Sequence, residues 1–333
     1  MIRIAHLVDD TTAGGVTRYL DFLRQDPQMA RIADHQVCVV PRHAPARAGI
    51  DADMIVSHLA ITWRGLPGLM ALRARHSGLP LVHVEHSYSE GFTAANVTHR
   101  TRFHHLLRCA YALFDRVVAV SAAQAGWMER RGLVRAQALD VIPPCVDLAP
   151  CTALEAPRGP VRVLGAVGRF ETQKGFDVLI RAFRSLPDPF LRLALFGEGA
   201  ARAELETLAA GDPRILFPGF TARPEEAYAA CDAIAMPSRW EPYGLVALEA
   251  NAAGRPVLMS RVDGLKDQAA RGNTPVTELS EEAWTDAIAR LTEAERPEID
   301  RSLATARPTR DGWARLVEDL LGENEGERLA QTA

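Results

Sequence analysis

Short, nearly continuous apolar runs alternate along this chain with longer stretches in which apolar positions recur every third or fourth residue. In the first half the runs are "RIAHLV" (3–8), "HQVCVV" (35–40), "DMIVSH" (53–58), "PLVHVE" (80–85), "RVVAVS" (116–121) and "LDVIP" (139–143). Each is short, rich in β-branched residues and apolar on both faces, the signature of a parallel strand covered on both sides. Between them lie amphipathic stretches such as "VTRYLDFLRQ" (16–25) and "TRFHHLLRCAYALF" (101–114), which predict helices.

The segment "DLAPCTALEAPRGPVR" (147–162) breaks the rhythm with three prolines and reads as a linker. After it the alternation restarts. Strands are expected at "VRVLGAVG" (161–168), "FLRLALFG" (190–197), "RILFPG" (214–219), "AIAMPS" (233–238) and "RPVLMS" (255–260). The helices between them are "FDVLIRAFRSL", "AARAELETLAAG", "PEEAYAAC" and "GLVALEANAAG". Strand–helix repetition of this kind makes a doubly wound parallel sheet, so the chain should hold two such α/β domains, over 1–150 and 160–306. Ligands in these sheets bind beyond the C-terminal ends of the strands, and two facing sheets would place a site in the cleft between them. A final helix is expected over 307–325, with Trp313, Leu316, Val317, Leu320 and Leu321 on one face, followed by a polar, frayed tail.

Charge sharpens the division. Residues 1–150 hold 16 Arg and 13 acids, whereas the remainder holds 22 basic and 29 acidic residues; all ten histidines lie in the first 150. The halves therefore differ chemically, and a net charge of +3 on the first is too small to suggest nucleic acid. The five cysteines show no metal-ligand spacing, which argues for a reducing compartment and against both a disulfide framework and a zinc site. No apolar run reaches the ~20 residues of a membrane span. The chain contains 36 Arg but only two Lys, Lys174 and Lys266, so each lysine invites a functional question.

Three stretches carry candidate chemistry. In "SRWEPYGLVALEANAAGRPVL" (238–258) a loop with Pro242 and Gly244 leads from a strand into a helix. The free amides of Tyr243, Gly244, Leu245 and Val246 would make an anion site at the helix start. Glu241 sits beside them, and Glu249 lies about one and a half turns into the helix, where its carboxylate can accept hydrogen bonds from two adjacent hydroxyls. A polyol attached to a phosphate would satisfy all these groups; the plainer alternative is a helix with N-terminal acids and a surface glutamate. In "VGRFETQKG" (167–175), Arg169 and Lys174 follow a strand end and suit a diphosphate, the alternative being two solvated cations. Gly14 and Gly15 stand in the first strand–helix turn, where glycine permits close approach of a ligand to backbone amides but also serves plain turn geometry. His86, in "VEHSYSEG", ends a parallel strand, and an incidental histidine is an equal alternative there. The pair Gly197-x-Gly199 follows a strand, but Arg202 stands where a dinucleotide fingerprint needs glycine.

Together these residues resemble the family 4 glycosyltransferases of the GT-B fold: two doubly wound, Rossmann-like domains facing each other across a cleft. The likeness is strongest over 161–265, through "GRFETQKGFDVLIRAF", "LALFGEG", "FPGF" and "CDAIAMPSRWEPYGLVALEANAAGRPVLMS", and looser in the first half through "GGV" and "EHS". The resemblance implies a retaining, metal-independent hexosyltransferase that takes its sugar from a nucleotide donor, UDP- or GDP-linked, and needs no cofactor. Arg169 and Lys174 would hold the donor diphosphate, Glu241 the sugar hydroxyls and Glu249 the ribose. His86 would sit near the reacting sugar. Gly14, Gly15, Gly197, Tyr243, Gly244 and Leu245 would contribute donor contacts, largely through backbone. The C-terminal helix would cross back to the first domain. One departure is "VIPPCVD" (141–147), where the family's pattern reads VIPNGVD.

The resemblance further implies a glycan or lipid-linked acceptor, in bacterial envelope or exopolysaccharide assembly, and a cytoplasmic location. The basic stretch "VTHRTRFHHLLR" (97–108) could touch the inner face of an anionic membrane, although a solvated helix face is the favoured alternative. Other readings are a catalytically silent nucleotide-sugar-binding protein and another GT-B enzyme such as an epimerase. A phosphorylase would need a lysine for pyridoxal phosphate; Lys174 is already engaged and Lys266 is expected in a loop.

Overall fold

Two parallel six-stranded sheets organise the computed structural model, which describes residues 1–322 apart from Ala13 and Ala48. Residues 323–325 of the expected C-terminal helix, and the polar tail, lie outside the described residues. The first sheet contains β1 (Arg3–Val8), β2 (Asp34–Val39), β3 (Met54–Ser57), β4 (Leu81–Glu85), β5 (Arg116–Ala119) and β6 (Leu139–Val141), in the order β2-β1-β3-β4-β5-β6. The second contains β7 (Val163–Val167), β8 (Arg192–Phe196), β9 (Ile215–Gly219), β10 (Ala233–Met236), β11 (Val257–Ser260) and β12 (Thr274–Val276), in the order β12-β11-β10-β7-β8-β9. That is the strand order of a dinucleotide-binding sheet, with its switch point between β7 and β10.

The apolar runs of the inner strands form buried strands because both sheet faces are covered there, whereas the edge strands β2, β6 and β9 leave Val39, Val141 and Leu216 exposed. In β8, Leu193 and Leu195 enter a cluster with Phe176, Leu179, Phe183 and Trp284, while Ala194 and Phe196 enter another with Tyr228, Met236 and Ala247. Successive side chains point to opposite faces, and each face finds its own helices.

The chain divides into two units: residues 1–88, 96–147 and from 306 onward, and residues 89–95 with 148–305. The segment 89–95, expected in the first domain, thus clusters with the second. Its reason is Asp263, which accepts hydrogen bonds from Ser89 Oγ at 2.7 Å and from the Gly91 amide at 2.9 Å. The helix Arg307–Val317 belongs to the first unit, where Trp313 Nε1 donates to the Tyr19 hydroxyl at 2.8 Å and Thr309 Oγ1 to the Pro143 carbonyl at 2.6 Å. The "VIPPCVD" departure therefore lies beneath that helix, with Ile142 and Cys145 buried.

Three local expectations change. The linker contains a short helix, Ala149–Thr152. Lys266 stands in the helix Leu265–Ala269, not in a loop. The strand β12 and the helix Glu281–Glu293 follow the last element expected before the C-terminal helix. The expected stripe on that last helix is buried at Trp313, Leu316 and Val317; beyond Val317 the chain widens into a π-helical turn over Glu318–Gly322, and Leu320 and Leu321 are only partly covered.

Candidate functional site

Three loops at the C-terminal ends of β7, β8 and β10 build the candidate site of the second unit, around its switch point. After β7, Gly168 passes the chain to Arg169, a turn over Thr172–Lys174, and Gly175 at φ 66° before the helix Phe176–Arg184. Gly175 is required there twice over: its φ is left-handed, and a Cβ would stand 2.0 Å from the Pro237 carbonyl oxygen. The turn and the loop after β10 thus meet backbone to backbone. Their contact is reinforced by Arg239 N donating to the Gln173 carbonyl at 2.8 Å and Gln173 Nε2 to the Trp240 carbonyl at 3.1 Å.

This docking joins two of the expected residues. Lys174 Nζ lies 2.6 Å from Glu241 Oε2, and Ser238 Oγ donates to the same oxygen at 3.4 Å. Both partners of the ion pair are largely buried. Arg169 is exposed and has no ion-pair partner among the described residues, so its guanidinium fork is available at the strand end. Gly197 closes the site from β8; a Cβ on it would meet the Gly168 carbonyl oxygen at 1.9 Å, so its role is to let two strand-end loops touch.

Gly244, at φ 96°, begins the helix Leu245–Ala252, and no side chain caps it. The first turn therefore presents amides, of Leu245 and Val246 among others, beside the Lys174–Glu241 pair. Tyr243 contributes backbone only: its ring is buried, and its hydroxyl receives Arg271 Nη2 at 3.3 Å. Glu249 is no surface residue. It is 1% exposed, and the Tyr228 hydroxyl donates to its Oε2 at 3.2 Å. Its backbone stands about 7.5 Å along the helix axis from Gly244, at 1.5 Å per residue, and its side chain leans back toward the helix N-terminus.

Asp263 escaped the sequence reading. It is buried, has φ 37°, and accepts from the Glu241 amide at 3.2 Å as well as from Ser89 and Gly91. It therefore fixes the loop that carries Glu241. The signal available was the Asp263-Gly264 turn after β11.

The remaining expected residues belong to the first unit. Gly14 caps the helix Gly15–Gln25 with extended backbone, and a Cβ on it would meet only the Thr12 carbonyl oxygen, at 3.9 Å; the protein's own geometry does not demand glycine. His86, one residue past β4, is partly exposed, and its Nε2 lies 2.8 Å from His58 Nδ1. Burial pushes its pKa down to about 4, with the His83 charge adding to the effect and Glu85 opposing it. Burial would raise the Glu85 carboxyl; His83 and the amides of Tyr88 and Ser87 overcome that and hold it below its ordinary value. No group of three or more potential metal ligands occurs among the described residues, and no described helix is long and apolar enough to cross a membrane.

Comparison with known proteins gives these positions a context. A family model described as "Glycosyl transferases group 1" matches residues 161–294, and one described as "Glycosyltransferase Family 4" matches residues 40–150. Similar curated proteins include the D-inositol 3-phosphate glycosyltransferase of Pseudarthrobacter chlorophenolicus, 32% identical over 80% of this chain and 68% of that protein. The same-named protein of Actinosynnema mirum is 31% identical over 84% of this chain and 73% of its own length. Against the one from Segniliparus rotundus, at 30% identity, the match covers 73% of this chain but only 60% of the relative's length. Among solved structures, Anabaena Alr3699/HepE in complex with UDP and glucose superposes with a TM-score of 0.68 at 19% identity, over 100% of this chain and 99% of that one. WaaG, described as a glycosyltransferase involved in lipopolysaccharide biosynthesis, gives 0.64 at 19% identity, over 95% and 94%. At these identities the structural likeness is one of fold.

Proposed function

The chain belongs to the family 4 glycosyltransferases of the GT-B fold, and on that premise we propose that it transfers a hexose from a nucleoside-diphosphate sugar to an acceptor hydroxyl. The observation that carries this reading is the Lys174–Glu241 pair, its lysine in the same loop as the exposed Arg169, which has no ion-pair partner among the described residues, at the switch point of the second sheet. A sugar diphosphate has anionic oxygens next to sugar hydroxyls, and it matches a cation next to a carboxylate. Arg169 and Lys174 take the diphosphate and stabilise the negative charge that grows on it as the bond to the anomeric carbon breaks. Glu241 accepts hydrogen bonds from the sugar hydroxyls, and the first amides of the helix Leu245–Ala252 add donors for phosphate oxygens. Glu249 accepts from the ribose hydroxyls. His86, Gly14 and Gly15 are assigned to the reaction by the family resemblance.

Retention at the anomeric carbon and independence of metal and cofactor belong to the same proposal. For the acceptor, the name of these relatives points to a small phosphorylated polyol, and that class takes precedence over the glycan or lipid-linked acceptor expected from the sequence. UDP is the first nucleotide to try, because it is the one in the Anabaena complex.

The test is turnover of UDP- and GDP-hexoses with inositol phosphates or glycans as acceptor, followed by release of the nucleoside diphosphate and by the anomeric configuration of the product. An α-linked product from an α-linked donor, formed in the presence of a chelator, is the expected result. Nucleotide binding with no transfer to any acceptor would favour a silent binding protein, and a chelator that stops turnover would remove the metal-free mechanism.

A further inference from the structure

Four imidazoles of the first unit form one hydrogen-bonded row. His35 lies on β2 and His6 on β1, while His58 and His86 each stand one residue past β3 and β4. His35 Nδ1 is 2.9 Å from His6 Nε2, His6 Nδ1 is 2.9 Å from His58 Nε2, and His58 Nδ1 is 2.8 Å from His86 Nε2. Each successive pair of rings repeats one geometry, with centroids 5.1 Å apart and planes 28°, 29° and 24° from parallel. At these separations the facing nitrogens are at hydrogen-bonding distance.

Strand register explains the row. His35 pairs with Ile4, and Ser57 pairs with both Leu7 and His83. Measured along β1, His35 therefore stands at level 4, His6 at 6, His58 at 8, and His86, three residues past His83, at 10. A step of two residues per strand keeps all four side chains on one face. It also carries the row diagonally from within the sheet to the C-terminal ends of its strands, where ligands of such sheets bind.

A neutral imidazole has one N–H and one acceptor nitrogen, so three consecutive links require all four rings to point in the same sense. In one sense every ring donates from Nδ1, and His86 is left with its proton on Nδ1. In the other every ring donates from Nε2, and His35 is left with an N–H on Nε2. His35 Nε2 is buried and has no hydrogen-bond partner among the described residues. Such a position tolerates a bare lone pair better than an N–H, since orphaned buried N–H groups are the rarer kind. The Trp313 ring, perpendicular to His35 with centroids 5.6 Å apart, would offer an N–H only a weak π contact.

We infer that the row locks His86 as a neutral imidazole with its proton on Nδ1, so that it offers a hydrogen-bond donor to a sugar hydroxyl or phosphate oxygen. His58, His6 and His35 are then positioning residues. Protonating His86 on Nε2 would reverse every ring and end with an unpaired N–H at His35. The titratable neighbours are otherwise engaged: Glu85 accepts from the Ser87 and Tyr88 amides and the Tyr111 hydroxyl and lies 3.4 Å from His83, and the Tyr19 hydroxyl receives Trp313. Asp34 is the acid next to His35 and acts on its charge. The purpose given to the donor rests on the proposed glycosyl transfer, but the tautomer does not.

Histidine-selective nitrogen-15 NMR of the full chain, without nucleotide, tests the lock. At neutral pH His86 is expected to show a protonated Nδ1 and an unprotonated Nε2, with His58, His6 and His35 in the same sense. His86 found with its proton on Nε2, or averaging between tautomers, overturns the inference. In His58→Phe the lock should be lost and His86 should average; in His58→Gln, whose amide can still donate, it should return. An unchanged His86 tautomer in a folded His58→Phe also overturns it, and if that variant does not fold the wild-type spectrum decides alone. A correct tautomer in a protein that transfers no sugar would sink the functional reading and leave the lock standing.

Discussion

Acid should destabilise the first unit before it touches the second. The perturbation is a fall in pH from 7 to 5. Burial depresses His35 and His86 to about 4 each, and it holds His6 and His58 well below the ordinary histidine value too, with neighbouring histidines adding to the effect. An unfolded histidine titrates near 6.5. The folded state therefore binds fewer protons than the unfolded one between about pH 6.5 and 4, and stability is full above that window and falls as the pH drops through it. For one group moved from 6.5 to about 4, linkage gives a loss of ~2 kcal/mol by pH 5. His35 and His86 together lose ~4 kcal/mol on that basis, and His6 and His58 act in the same direction. No histidine lies in 89–95 or 148–305, so the second unit is an internal control. The assay is amide hydrogen exchange at pH 7, 6 and 5, corrected for intrinsic rates and read at β1 and at β7. Protection at β1 should fall by orders of magnitude while β7 changes little. Equal changes in both strands, or a flat profile at β1, would refute the linkage argument.

Lys174→Ala should lower turnover by ~10²-fold or more, the scale seen when one donor to a developing charge is lost, and Glu241→Ala by a similar ~10²-fold through lost positioning of the sugar. Both should keep the fold, as circular dichroism and melting would report; full activity in either would remove the site assignment. Gly175→Ala should cost ~1–3 kcal/mol, because its φ is left-handed and its Cβ would strike the Pro237 carbonyl. A melting temperature unchanged within error would show that the two loops do not meet as described.

Strands and helices of both units were legible because the apolar runs of the inner strands are buried on both faces and announce themselves without partners; the edge strands, with Val39, Val141 and Leu216 exposed, were read from their short apolar runs alone. The ends were not: β3 stops at Ser57 and β10 at Met236, one and two residues short of the stretches 53–58 and 233–238 expected as strands. β12 is three residues long and includes Pro275, too little for a pattern to register. The residue types of the site were readable from Arg169, Lys174 and Glu241, but their arrangement was not: the ion pair exists because Gly175 lets two loops 67 residues apart touch. Asp263 is invisible for the same reason, being one acid whose three partners come from distant segments. The histidine row depends on register between four strands. The concentration of all ten histidines in the first 150 residues was visible, and their alignment was not.

The central claim is that Arg169, Lys174 and Glu241 hold a nucleoside-diphosphate sugar. The most direct measurement is a melting curve of the wild type and of Lys174→Ala with UDP, GDP, ADP and dTDP, each alone and as its common sugar. The wild type should be stabilised by one nucleotide series, by ~2.7 kcal/mol at a hundredfold excess over Kd, and Lys174→Ala should lose that gain. A wild type that no nucleotide stabilises, or a gain that survives Lys174→Ala in full, would contradict it.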